Sequence, residues 1–238
     1  MRITAQLIDT TTGAHLWADR FDGSLEDVFE LQDKVASSVA GVIEPALRAV
    51  EIRRASERET RDLTAYDLYL RALAHSSGSK TALNKALDLL GQAIDRDPHY
   101  GPALAKAASC RALIDLSGWT ENPERNRLAA IDSAERALQA AGDDPDTLVY
   151  AAHALAYFGE NIDATMALVD RAVGLNPSFA HGWLISAQIK IWAGQPDLAI
   201  EHVERAMRLS PRVLLGLHSF IVGLAHFFVG ASKMPCQN

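Results

Sequence analysis

Chemistry near neutral pH needs imidazoles, thiolates or carboxylates held at fixed spacing. This chain offers eight histidines, His15, His75, His99, His153, His181, His202, His218 and His226, and no two of them stand as HxxxH or HExxH. His218 and His226 would share one helix face, a spacing that reads as packed side chains rather than ligands. The carboxylates of "DDPD" at 143–146 stand close together, but a calcium loop needs more oxygen donors at set intervals. They read instead as a turn followed by a helix N-cap, and Asp95 and Asp97 before Pro98 read the same way. Cys110 and Cys236 form no CxxC pair, and neither GxGxxG nor GxxxxGK[ST] is present to cradle a phosphate. No Ser–His–Asp arrangement can be argued from these residues. The expectation is a chain with no catalytic residue, no metal site and no cofactor.

The 238 residues, 48% of them hydrophobic, suffice for one or two globular domains. A formal net charge of −7 argues against nucleic-acid binding, which draws its affinity from basic residues meeting phosphates. It argues equally against an anionic membrane surface. Two distant cysteines make no disulfide framework, which favours a reducing, cytoplasmic setting. "MRITAQLID" has no apolar core of a signal peptide. The uncharged run 213–230, "VLLGLHSFIVGLAHFFVG", approaches the length of a membrane span. Its histidines and three glycines favour a helix of a repeat over a span.

Residues 2–9 alternate, with Ile3, Ala5 and Leu7 on one side and Arg2, Thr4 and Gln6 on the other, as a half-buried strand does. A turn over "TTTGAH" leads to a return strand "HLWADRFD", in which Leu16, Ala18 and Phe21 are expected to oppose Trp17 and Asp19. Two strands alone are marginal in water, so the hairpin must pack on something. The stretch 24–50 is helical, with Ser24 as N-cap, Glu26 and Asp27 in the first turn, and a stripe of Val28, Leu31, Val35, Val39, Val42 and Ile43. Pro45 is expected to kink this helix or begin a new one. "EIRRASERETRD" mixes charges densely and reads as a solvated helical linker rather than a basic docking patch.

From residue 65 the chain is helical and repeats itself. Prolines at 98, 145, 177 and 211 close similar phrases, at intervals of 47, 32 and 34 residues. A period near 34 built from helix–turn–helix resembles the tetratricopeptide repeat. The copy 180–211 carries the resemblance best, with Trp183, Ala187, Ala199, Ala206 and Pro211 at that family's expected places. The copy 67–98 matches at Leu70, Leu73, Ala74, Ala86, Leu90, Ala93 and Pro98. The copy 146–177 is weaker, with His153 and Thr165 where small residues are usual, and 101–145 fits only with added length at "SGWTENPE" and "AAGDDPD". Small residues let the two helices of a repeat approach closely, which a generic helix bundle would not need at matching places.

The segment 1–48, through "RITAQLID", "TGAHLWADRFD" and "DVFELQDKV", resembles the last hairpin and helix of a TolB-like (FlgO-like) domain. That domain often stands between a class III adenylate/guanylate cyclase or winged-helix module and tetratricopeptide repeats. No cyclase residue can be carried onto this chain. The expected organisation is a partial TolB-like segment over 1–48, a charged helical linker over 49–64, four repeats over 65–212, and an orphan helix with a tail over 213–238. That last apolar helix lacks its pair, which suggests a truncated or frame-shifted reading, or a surface completed by another chain. Self-association through 213–230 or the hairpin is one such completion.

The fold expected is therefore mainly α, a tetratricopeptide solenoid preceded by a short β-hairpin and a helix. The resemblance implies a concave groove lined by the first helix of each repeat. By its places the lining is Arg71, His75, Ser109, Tyr150, Tyr157, His181, Leu184 and Gln188. Tyr and Arg are residue types that anchor interfaces, so the groove suits a protein or peptide partner, unless these are merely solvated helix positions. Two functions are open: an interaction scaffold with no catalysis of its own, or the C-terminal part of a cyclase-type signalling protein.

Overall fold

The computed structural model describes residues 2–10, 13, 15–23, 28–57, 64–76, 78–140, 142–210, 221 and 223. Strands β1 (Arg2–Ile8) and β2 (His15–Asp22) pair antiparallel, with Ile3 opposite Phe21, Ala5 opposite Asp19 and Leu7 opposite Trp17. This register corrects the expected faces of β2. Side chains alternate with a period of two, so Trp17, Asp19 and Phe21 share the face of Ile3, Ala5 and Leu7, and Ala18 points the other way. That face packs on helix α1 (Val28–Glu57), where Phe21 and Leu31 are buried. Val35, Val39 and Ile43 of α1, with Ile3, line an open apolar trough of about 620 Å³. The Ser24 cap and the first-turn charges of Glu26 and Asp27 lie outside the described residues, as does 213–230 apart from Ile221 and Gly223.

Pro45 lies inside α1 and begins no new helix. A proline frees the carbonyl four residues back, here that of Gly41. Gly41 is buried, and a Cβ on it would stand 2.6 Å from the carbonyl oxygen of Leu209, at the end of a later helix. The charged stretch after residue 50 continues α1 as far as Glu57.

Among the described residues eight further helices follow in pairs: α2 (Ala65–Leu73) with α3 (Lys80–Arg96), α4 (Gly101–Leu116) with α5 (Pro123–Ala140), α6 (Pro145–Tyr157) with α7 (Ile162–Leu175), and α8 (Ala180–Trp192) with α9 (Pro196–Leu209). The second helix of each pair shows one buried stripe, as Leu83, Ala86, Leu90 and Ala93 do on α3. Ala86, Ala93, Ala134, Ala137, Ala199 and Ala206 are wholly excluded from solvent, at the close approaches that small residues permit. Ile221 is buried beside α8 and α9 in the last of these clusters.

Three of the four turns within pairs use one device. Gly118, Gly159 and Gly194 have φ of 68°, 77° and 73°. Next to each, a six-to-one backbone bond closes the helix: Trp119 N–H to Ile114 O, Glu160 N–H to Leu155 O and Gln195 N–H to Lys190 O. Gly194→Ala must hold a Cβ in this left-handed region, and calorimetry should show about 1 kcal/mol lost.

The prolines carry two roles, which corrects the uniform reading. Pro98 and Pro177 stand two residues beyond the ends of α3 and α7, but Pro145 is the first residue of α6. The long first interval comes mainly from the second pair, which runs from Gly101 to Ala140 and is longer than the others. Pro211 lies outside the described residues. Asp144 is the N-cap of α6 and its side chain accepts from Thr147 N–H, as the reading of "DDPD" anticipated. Asp144→Ala should cost about 1 kcal/mol in urea unfolding.

Candidate functional site

Helices α2, α4, α6 and α8 carry the residues assigned to the groove. On α2, Arg71 is half-buried and its Nε donates to the Ala55 carbonyl of α1 at 2.7 Å. His75 lies just beyond α2, half-buried, in the turn where its N–H bonds Ala72 O. Ser109 of α4 is buried, 3.4 Å from Nδ1 of His153 on α6. Tyr150 and His181 come together, ring centroids 5.6 Å apart. Tyr157 donates its hydroxyl to Asp115 at 3.0 Å and packs on Phe158 and Trp192. Gln188 is buried. Leu184 does not join the others: it is fully buried with Ala187, Val203 and Ala206 between α8 and α9.

Several residues missed by the sequence reading complete the site. Lys106 of α4 is buried and its Nζ lies 4.0 Å from the centre of the Tyr150 ring, a cation over an aromatic face. His153 is buried and stacked on Trp192, centroids 5.8 Å apart. Burial, and then the Lys106 charge, lower its pKa to about 4, so it is neutral at pH 7. His181 is shifted the same way by burial, then by Lys106, His153 and Arg48. Counting groove-facing places could not signal Lys106, because it is offset from those places on α4.

Arg48 of α1 reaches the start of α6. Its guanidinium makes two parallel bonds to the Asp146 carboxylate, one of them Nη1 to Oδ1 at 2.9 Å. Burial opposes its charge, but the Asp146 carboxylate outweighs that and holds it above its ordinary value. Arg48, Glu51, Tyr66, Tyr69, Tyr100, Asp144 and Asp146 line a cleft of about 190 Å³. Glu51 accepts from the Tyr66 hydroxyl at 2.8 Å, and Tyr69 meets Tyr100 edge-on.

Among the described residues no three His, Cys, Asp or Glu side chains gather to hold a metal ion. Among them, too, no helix is long and apolar enough to cross a membrane. The described faces of α4, α6 and α8 thus bring together hydroxyls, ring faces and one ammonium.

No protein-family model matches the chain. It is 36% identical, over 148 residues, to a protein of Rhizobium meliloti (strain 1021) named "Putative adenylate cyclase 3". That match covers 61% of this chain and 25% of the relative, so the chain spans about a quarter of that protein's length. Among solved structures, a thermophilic TPR protein of Thermus thermophilus superposes with a TM-score of 0.56 at 18% identity. The superposition covers 80% of this chain and 98% of that one. With four helix pairs closed by small residues and positive-φ glycines, the fold behind the hairpin and α1 is a tetratricopeptide-type solenoid.

Proposed function

We propose that this chain is a protein-interaction module, without catalysis of its own, whose groove holds a peptide or protein segment. The observation that carries this reading is the juxtaposition of Lys106, Tyr150, His153, Tyr157 and His181 on one face of α4, α6 and α8. Rings and a buried ammonium on rigid helices suit recognition better than turnover. In this reading residues 65–212 are the binding unit, and Arg71, His75, Ser109 and Gln188 belong to its lining. A free, buried Cys110 thiol fits a cytoplasmic setting.

A second reading rests on the identity with the cyclase-named relative: the chain corresponds to the interaction segment of a longer signalling protein. The likeness of residues 1–48 to the end of a TolB-like domain supports that placement.

A displayed random-peptide library selected on the whole chain tests the first reading. Selected peptides should lose roughly tenfold or more in affinity on Tyr157→Ala and little on Glu135→Ala, on the exposed side of α5. Peptides indifferent to Tyr157 would remove the groove from the account. Formation of cyclic AMP from ATP and Mg²⁺ by the purified chain would overturn the absence of catalysis.

A further inference from the structure

The repeats already hold a helix. Gly41, Arg48 and Ala55 recur every seven residues along α1, so they form one seam on its surface. Each meets a different part of the solenoid. Gly41 abuts the Leu209 carbonyl at the end of α9, Arg48 clasps Asp146 at the start of α6, and Ala55 accepts from Arg71 on α2. The seam runs about 21 Å, from the last helix pair to the first. Glu51 adds a bond to Tyr66, and Ala55 is buried in the first pair's core. On the solenoid side, α6 buries ten consecutive residues, Thr147–Ala156, which leaves no side of that helix open to water over more than two turns.

We propose that α1 is the resident ligand of the groove, and that the outside partner is a helix of the same chemistry. That helix is amphipathic, carries an arginine for Asp146, and has a small residue where it crosses α9. A binder of this kind must first displace α1, so its apparent affinity is lowered by the fraction of chains whose groove is filled. α1 is suited to a dual role because its two faces differ. The seam is polar and small, whereas Val35, Val39 and Ile43 turn toward the hairpin. The outside partner rests on the proposed interaction role; the occupancy by α1 does not.

The test uses the whole chain and, as probe, a labelled synthetic peptide of residues 28–57, followed by fluorescence anisotropy. The wild type should bind the peptide weakly. Arg48→Ala loosens the tethered copy while the peptide keeps its own arginine, so affinity should rise roughly tenfold or more. Gly41→Ala evicts by a different route: alanine favours helix more than glycine, but its Cβ collides with the Leu209 carbonyl. It should raise affinity too, which keeps the test decisive if Arg48→Ala does not fold. Asp146→Ala added to Arg48→Ala should cancel the gain. Unchanged affinity in folded Arg48→Ala and Gly41→Ala chains overturns the inference. If library peptides bind wild type and Arg48→Ala alike, the inference fails while the interaction reading stands. If the 28–57 peptide gains and no library peptide binds, the reverse holds.

Discussion

Replacing Leu104 with alanine should lower the unfolding free energy by about 4 kcal/mol, since a fully buried leucine leaves both lost transfer energy and a cavity. Leu104 is 1% exposed and sits where α4, α5 and α6 meet, with Ala108, Ala134 and Ala151 around it. Neighbours that are mostly alanine have no long side chains to swing into the void, which places the cost in the upper part of the usual range. The measurement is urea unfolding by far-UV circular dichroism and tryptophan fluorescence together. In a stacked array each pair is stabilised by its neighbours, so a weakened middle interface uncouples the two halves. Trp183 and Trp192 report on the fourth pair and Trp119 on the core of the first. The two probes should therefore separate in the variant and coincide in the wild type. Leu104→Met, which conserves volume, should cost less than about 1.5 kcal/mol and keep the transitions together. Equal losses for Ala and Met would mean that cavity formation is not what matters at this position.

The local rules carried much of the fold. Alternation marked β1, and alanines at matched places marked the helix pairs, because close packing demands small side chains wherever helices cross. Asp144 was legible as a cap because capping depends only on its immediate neighbours. What lay hidden was long-range. Arg48 and Asp146 are 98 residues apart, and nothing near either one marks the other. In sequence the apolar stripe of α1 draws attention to the hairpin side, while the seam of Gly41, Arg48 and Ala55 carries no hydrophobic signal. Pro45 suggested an ending, yet tertiary contacts on both sides hold α1 together through it. Leu184 was assigned to the groove by counting from the start of the repeat. Its side chain is drawn instead into the core between α8 and α9, where a fully apolar residue gains most from burial. Tyr150 and His181 came together, since the same counting suits residues that lie near the middle of their helix faces.

Acid should destabilise this protein through His153 by about 3 kcal/mol, and the sign follows from its neutrality. Its pKa is about 4 in the folded chain against 6.5 unfolded. Above pH 6.5 both states are neutral, and the fold loses nothing. Between 6.5 and 4 the unfolded chain binds a proton that the native chain refuses, so stability falls as pH falls. Below about 4 both states are protonated and the loss levels off. Burial is the larger cause, because the ring is enclosed between Ser109 and Trp192; the Lys106 ammonium adds to it. Carboxylates contribute their own acid slope, so the useful quantity is the difference between wild type and His153→Gln. That difference, from urea unfolding at pH 7.5 to 4.5, should favour the variant progressively as pH drops. Lys106→Met should narrow it, by removing the second cause while leaving the enclosure intact. A pH-independent difference would place His153 in contact with water, and the groove floor between α4 and α6 would then be open rather than packed. Protonation would also set an imidazolium beside Lys106, in the region that Arg48 approaches. The same acid window should therefore loosen α1 before the repeats themselves unfold.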